Sequence, residues 1–184
     1  MTKFYIVRHG ETDYNKNSTL QGRIDIPLNE TGKAQAKQIA EDLKDIKFDA
    51  IYCSPLTRAK QTAEEILKNR DNVEFVEVPE IIERNFGELE GTVCSDYELP
   101  FYGLWDYKLE PTVLEGGEFM DDMKNRIFPF LDKLKEERAG QTICLVCHGG
   151  VTLIIREYFE GVPESGSLLD YPQIQNGKVI IFEG

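Results

Sequence analysis

Phe4-Tyr5-Ile6-Val7-Arg8-His9-Gly10 is an apolar run broken off by a cation, an imidazole and a glycine. Four consecutive apolar side chains bounded in this way read as a short strand buried on both faces. The pattern recurs near the other end of the chain. There Thr142-Ile-Cys-Leu-Val-Cys147 runs into His148-Gly149-Gly150. His9 and His148 are the only two histidines among 184 residues, and each directly follows a buried strand.

The elements between these strands alternate. Asn29 can cap a helix whose apolar positions are Ala36, Ile39, Ala40, Leu43 and Ile46. Residues 49–53 form a second strand, and Ser54-Pro55 then opens a helix with Ala59, Ala63, Ile66 and Leu67 on one face. Pro55 would sit in its first turn. A third strand covers 74–78. Residues 118–135 return to helical spacing, with Pro129 expected to kink or break the helix. A further helix carries Val151, Ile154, Ile155, Tyr158 and Phe159, and a last strand covers 178–182. This alternation predicts a single α/β domain over 1–184, a three-layer α/β/α sandwich around a mainly parallel sheet. Ligands of such sheets lie beyond the carboxyl ends of the strands.

Arg8, His9, Arg58, Glu83 and His148 all fall at or just after strand ends, so the topology should deliver them to one edge. Their chemistry suits phosphoryl transfer. Two guanidinium forks can hold phosphate oxygens. The same charges favour the neutral imidazole of His9, the form that attacks phosphorus. The helix starts after Ser54 and His148 add backbone donors for an anion. Glu83 can protonate a leaving oxygen, and His148 can donate to the transferring oxygens.

The totals narrow the partners. With 33 acidic and 21 basic residues the net charge is −12, a field that repels nucleic acid and anionic membranes. The apolar run at the start is too short for a signal sequence, and no stretch reaches membrane-spanning length. These features predict a cytoplasmic protein with reduced thiols at Cys53, Cys94, Cys144 and Cys147. Cys144-Leu-Val-Cys147-His148 matches the haem-attachment pattern formally. Residues three apart on a strand point to opposite faces, however, so both are better read as small core residues.

Several blocks in series resemble the histidine phosphatase superfamily, also called the phosphoglycerate mutase-like family. They are Arg8-His9-Gly10-Glu11-Thr12 with Asn15 and Gln21-Gly22, then Pro27-Leu-Asn-Glu-Thr-Gly32 with Gln35-Ala36, and Ser54-Pro-Leu-Thr-Arg58-Ala59-Lys-Gln61-Thr62-Ala63. Glu83-Arg-Asn-Phe-Gly87-Glu-Leu-Glu-Gly91, Gly116-Gly-Glu118 and His148-Gly149-Gly150-Val151 follow in the family's order. The resemblance implies a phosphoglycerate mutase-like fold and a phosphatase acting on small phosphate monoesters without metal or other cofactor. It makes His9 the nucleophile and Glu83 the proton donor. It places the phosphate among Arg8, Arg58 and His148, with Asn15, Gln21, Gly22 and Gly149 assisting. A mutase or a phosphoprotein phosphatase are the alternatives on the same fold. Thr19 stands where many members carry arginine, and Phe119 where serine is common.

Residues 91–117 match no block and show no regular period. They hold five aromatics, Tyr97, Phe101, Tyr102, Trp105 and Tyr107, and five acidic residues against the single Lys108. A segment of this kind is expected to form a lid that prefers an uncharged, apolar or aromatic alcohol over doubly anionic substrates. The plainer reading is that the rings pin the loop to the domain.

Overall fold

The computed structural model describes residues 1–68, 70–93, 103–109 and 114–184. Among the described residues five strands form one sheet: β1 (Lys3–Arg8), β2 (Ala50–Cys53), β3 (Glu74–Glu77), β4 (Thr142–Cys147) and β5 (Val179–Glu183), in the order β3-β2-β4-β1-β5. The first four are parallel, and β5 closes one edge antiparallel to β1. Cys94, Tyr97, Phe101 and Tyr102 lie outside the described residues.

The helices are the short α1 (Asp13–Lys16), α2 (Glu30–Asp42), α3 (Thr57–Leu67), α4 (Met120–Glu137) and α5 (Gly149–Glu160). Alternation along β1 sorts its side chains between two cores. Tyr5 and Val7 pack with Ile39 of α2 and Ala63 of α3, while Phe4 and Ile6 pack with Leu131 of α4 and Ile154 of α5. The three-layer α/β/α expectation is met. Cys144 and Cys147 fall into opposite cores, as three-residue spacing on a strand requires.

Two local expectations need correction, and the kink or break at Pro129 is narrowed. Helix α3 begins at Thr57, so Pro55 precedes the helix instead of sitting in its first turn. The start of α3 is occupied by Asp25, whose carboxylate accepts the Thr57 N–H at 2.7 Å and the Thr57 hydroxyl at 2.8 Å. It therefore offers no free anion site. Pro129 does not break α4, which continues through it with the proline on the exposed side.

Register explains the position of the two histidines. β1 and β4 are direct neighbours with Arg8 opposite Cys147, so His9 and His148 emerge side by side from adjacent strand ends. The His9 N–H donates to the Cys147 carbonyl at 3.0 Å, and the two imidazole centroids are 5.1 Å apart.

Candidate active site

The parallel strand ends open into a cleft of about 310 Å³ whose floor includes Arg8, His9, Arg58, Glu83 and Gly149. His9 is almost fully buried. Its Nδ1 lies 2.6 Å from the Gly10 carbonyl, an acceptor only, so Nδ1 carries the ring hydrogen. The lone pair is then on Nε2, which accepts from Arg58 Nε at 3.3 Å. Burial, followed by the charges of Arg58 and Arg8, holds the His9 pKa well below the usual histidine range and keeps the ring neutral.

Arg58 is set by the chain turn at 22–24: its terminal nitrogens donate to the Gly22 carbonyl at 2.7 Å and the Ile24 carbonyl at 2.8 Å. Gly22 allows that turn at φ +51°, where an added Cβ would lie 2.0 Å from Glu90 Oε1. Arg8 donates from one terminal nitrogen to the Ile174 carbonyl at 2.7 Å, while its Nε is buried without a partner. His148 is fully buried; its Nε2 lies 2.6 Å from Ser54 Oγ and its Nδ1 has no partner. Two of the four buried, unpartnered side-chain atoms among the described residues thus lie at this strand edge. Buried polar groups left in this state mark a place built for a polar ligand.

Glu83 reaches the cleft from the segment after β3. Its two carboxylate oxygens accept from the Arg84 N–H at 2.8 Å and the Gly150 N–H at 3.1 Å. The second donor is one that the start of α5 was expected to offer an anion, so Glu83 already occupies part of that helix start. A Cβ on Gly150 would lie 2.6 Å from both Glu83 Oε1 and Trp105 Cη2, which explains the glycine. Gln21 Oε1 accepts from the Thr12 hydroxyl at 2.8 Å, and Asn15 Oδ1 accepts from the Thr12 N–H and the Asn176 amide, both at 3.2 Å. Both side chains line the cleft. Every expected site residue is therefore gathered at one edge.

Sequence reasoning missed the residues that hold this set. Ser54 fixes His148, Thr62 accepts the Gly10 N–H at 3.1 Å, and Asn176 donates to the His9 carbonyl at 3.0 Å. Ser54 and Thr62 stand inside a quoted block. Asn176-Gly177 carried no signal beyond an ordinary turn dipeptide. Of the aromatics in 91–117, Trp105 is buried and lines the cleft, with Arg84 4.8 Å from its ring centre and Phe86 edge-on to it. Tyr107 instead donates its hydroxyl to Glu157 at 2.7 Å and pins the segment to α5. Among the described residues no three His, Cys, Asp or Glu side chains are grouped to hold a metal, and no helix is long and apolar enough to cross a membrane.

The sequence profile of the histidine phosphatase superfamily (branch 1) matches residues 4–184. A metal-independent phosphoserine phosphatase of Arabidopsis thaliana is 34% identical over 92% of this chain and 74% of its own length. An uncharacterized phosphatase, PhoE, of Bacillus subtilis is 33% identical over 89% of this chain and 81% of its own. The structure superposes on a phosphoserine phosphatase of Entamoeba histolytica in complex with 3-phosphoglyceric acid. The TM-score is 0.84 at 26% identity, covering 100% of this chain and 91% of that one.

Proposed function

The chain belongs to the histidine phosphatase superfamily and is a phosphatase of that kind, and from this premise we propose that it hydrolyses phosphate monoesters of small molecules through a phosphohistidine on His9. One observation carries the proposal: the neutral ring of His9 has its hydrogen on Nδ1, tied to Gly10, and its lone pair on Nε2 beside the Arg58 guanidinium. A phosphoryl group held by Arg8 and Arg58 would take the place of the Arg58 Nε contact at that lone pair.

In the first step the Nε2–P bond forms and the ester P–O bond breaks, while Glu83 gives its proton to the departing alcohol oxygen. The Gly10 carbonyl stabilises the cationic character of the phosphorylated ring. Arg8, Arg58 and His148 stabilise charge on the equatorial oxygens. In the second step water attacks phosphorus, Glu83 accepts its proton, and the N–P bond breaks to return neutral His9 and inorganic phosphate.

Quenching turnover in alkali and mapping the labelled peptide should place phosphate on His9, with turnover lost in His9→Ala. A label confined to His148, or wild-type turnover in His9→Ala, would overturn the assignment. Glu83→Gln should slow single-turnover phosphorylation by alkyl phosphates by about 10²–10⁴-fold, and far less by p-nitrophenyl phosphate, whose leaving group needs no proton. Activity should persist after dialysis against a chelator.

A further inference from the structure

Beyond the phosphate end, the cleft has a wall of Tyr14, Leu20, Phe86, Trp105, Leu153 and Leu169. Leu20, Phe86, Trp105 and Leu153 belong to the core of the molecule, so this wall is preformed. No described cation other than Arg8 and Arg58 lines the cleft. Two arginines near Glu83 are held by other groups and do not line the cleft, although Arg23 Nε also donates to the Glu83 carbonyl at 3.3 Å. Arg84 donates to the Leu104 and Glu118 carbonyls beneath Trp105, and Arg23 pairs with Glu118 at 3.4 Å. The residues outside the described set, 69, 94–102 and 110–113, contain no Lys, Arg or His but include Asp96, Glu98 and Glu110. Wherever they lie, they bring no cation to the cleft.

Resting on the phosphatase reading, we infer that the substrates are monophosphates of uncharged alcohols with an apolar or aromatic body, selected against esters with a second anionic group. The two guanidiniums are matched to one phosphate. A carboxylate or second phosphate would meet leucine and aromatic carbon and neutral polar groups such as Ser18, Thr19 and Gln173, with no further cation lining the cleft to balance it, inside a chain of net charge −12. An aromatic or aliphatic alcohol instead buries its carbon against that wall. The selection comes from the packed cleft itself and does not need a closing lid.

The test compares kcat/KM for benzyl phosphate, glycerol 3-phosphate and 3-phosphoglycerate on the wild-type enzyme, with His9 labelling measured for each. Glycerol 3-phosphate and 3-phosphoglycerate differ by a hydroxymethyl against a carboxylate, so their ratio reads the charge. Benzyl phosphate against glycerol 3-phosphate reads the apolar wall. Each step down that series should cost about tenfold or more. Gln173 is exposed at the cleft, and Gln173→Arg should raise the 3-phosphoglycerate to glycerol 3-phosphate ratio by about tenfold. If 3-phosphoglycerate equals or exceeds glycerol 3-phosphate, or benzyl phosphate gains nothing, the inference is overturned while a label on His9 leaves the phosphatase reading standing. No hydrolysis and no label with any ester removes both.

Discussion

Ser54 Oγ receives the Leu56 N–H at 3.4 Å and lies 2.6 Å from His148 Nε2. A hydroxyl that already accepts one hydrogen bond is set to donate its own hydrogen onward, here to the Nε2 lone pair. The proton of His148 is then on Nδ1, the buried nitrogen without a partner. Burial and the Arg58 charge hold the His148 pKa well below the usual range, so this ring is neutral like that of His9. With only two histidines in the chain, the imidazole ¹⁵N spectrum reports two rings. Both are expected as neutral Nδ1–H tautomers near pH 7. Ser54→Ala should move His148 towards the Nε2–H form, leave His9 unchanged, and slow phosphorylation by about tenfold through loss of an aligned donor. A wild-type His148 already in the Nε2–H form would show that Ser54 does not set it. This is also where reading from sequence stops. Arg8, His9, Arg58 and His148 are legible because each ends or follows a buried strand. Ser54's bond to His148 spans 94 positions, and Asn176's to His9 spans 167; no local pattern encodes either.

Elements were legible where burial leaves an unbroken apolar run, as in β1 and β4, and less so where a distant side chain decides the boundary. Asp25, 32 positions from Thr57, sets the start of α3. Helix α4 shows the opposite case, a start with half of its cap missing. Asp122 Oδ2 accepts the Phe119 N–H at 2.8 Å, but Phe119 has no side-chain oxygen to return the bond, unlike Asn29, which accepts from Gly32 at the head of α2. Phe119 is 41% exposed, so its ring contributes little burial that would be missed. Phe119→Ser completes a reciprocal cap and should raise stability by about 1 kcal/mol. In urea unfolding this appears as a higher midpoint with an unchanged slope. A lower midpoint would mean that the ring's packing outweighs the cap.

Across the whole molecule, a chain of net charge −12 keeps two imidazoles neutral beside two buried arginines, and that arrangement ties stability to pH. Both histidines have folded-state pKa values well below 6.5, because burial and then the neighbouring arginines disfavour the imidazolium. In the unfolded chain each titrates near 6.5. Below that pH the unfolded state binds protons that the folded state refuses, so unfolding becomes more favourable as pH falls. The stability is fully present above about pH 6.5 and is lost progressively below it, until the depressed folded-state values are reached. Each ring contributes a slope that approaches about 1.4 kcal/mol per pH unit. Acidic side chains act against this, since their protonation relieves repulsion within the anionic chain. A comparison of wild type with His9→Asn between pH 7.5 and 5 isolates the effect, because the carboxylates are common to both. The unfolding free energy of the wild type should fall more steeply over that window, with the difference beginning near pH 6.5. Parallel curves would mean that His9 takes up its proton as readily in the folded protein as in the unfolded one, and the neutral nucleophile beside Arg58 would then have to be abandoned.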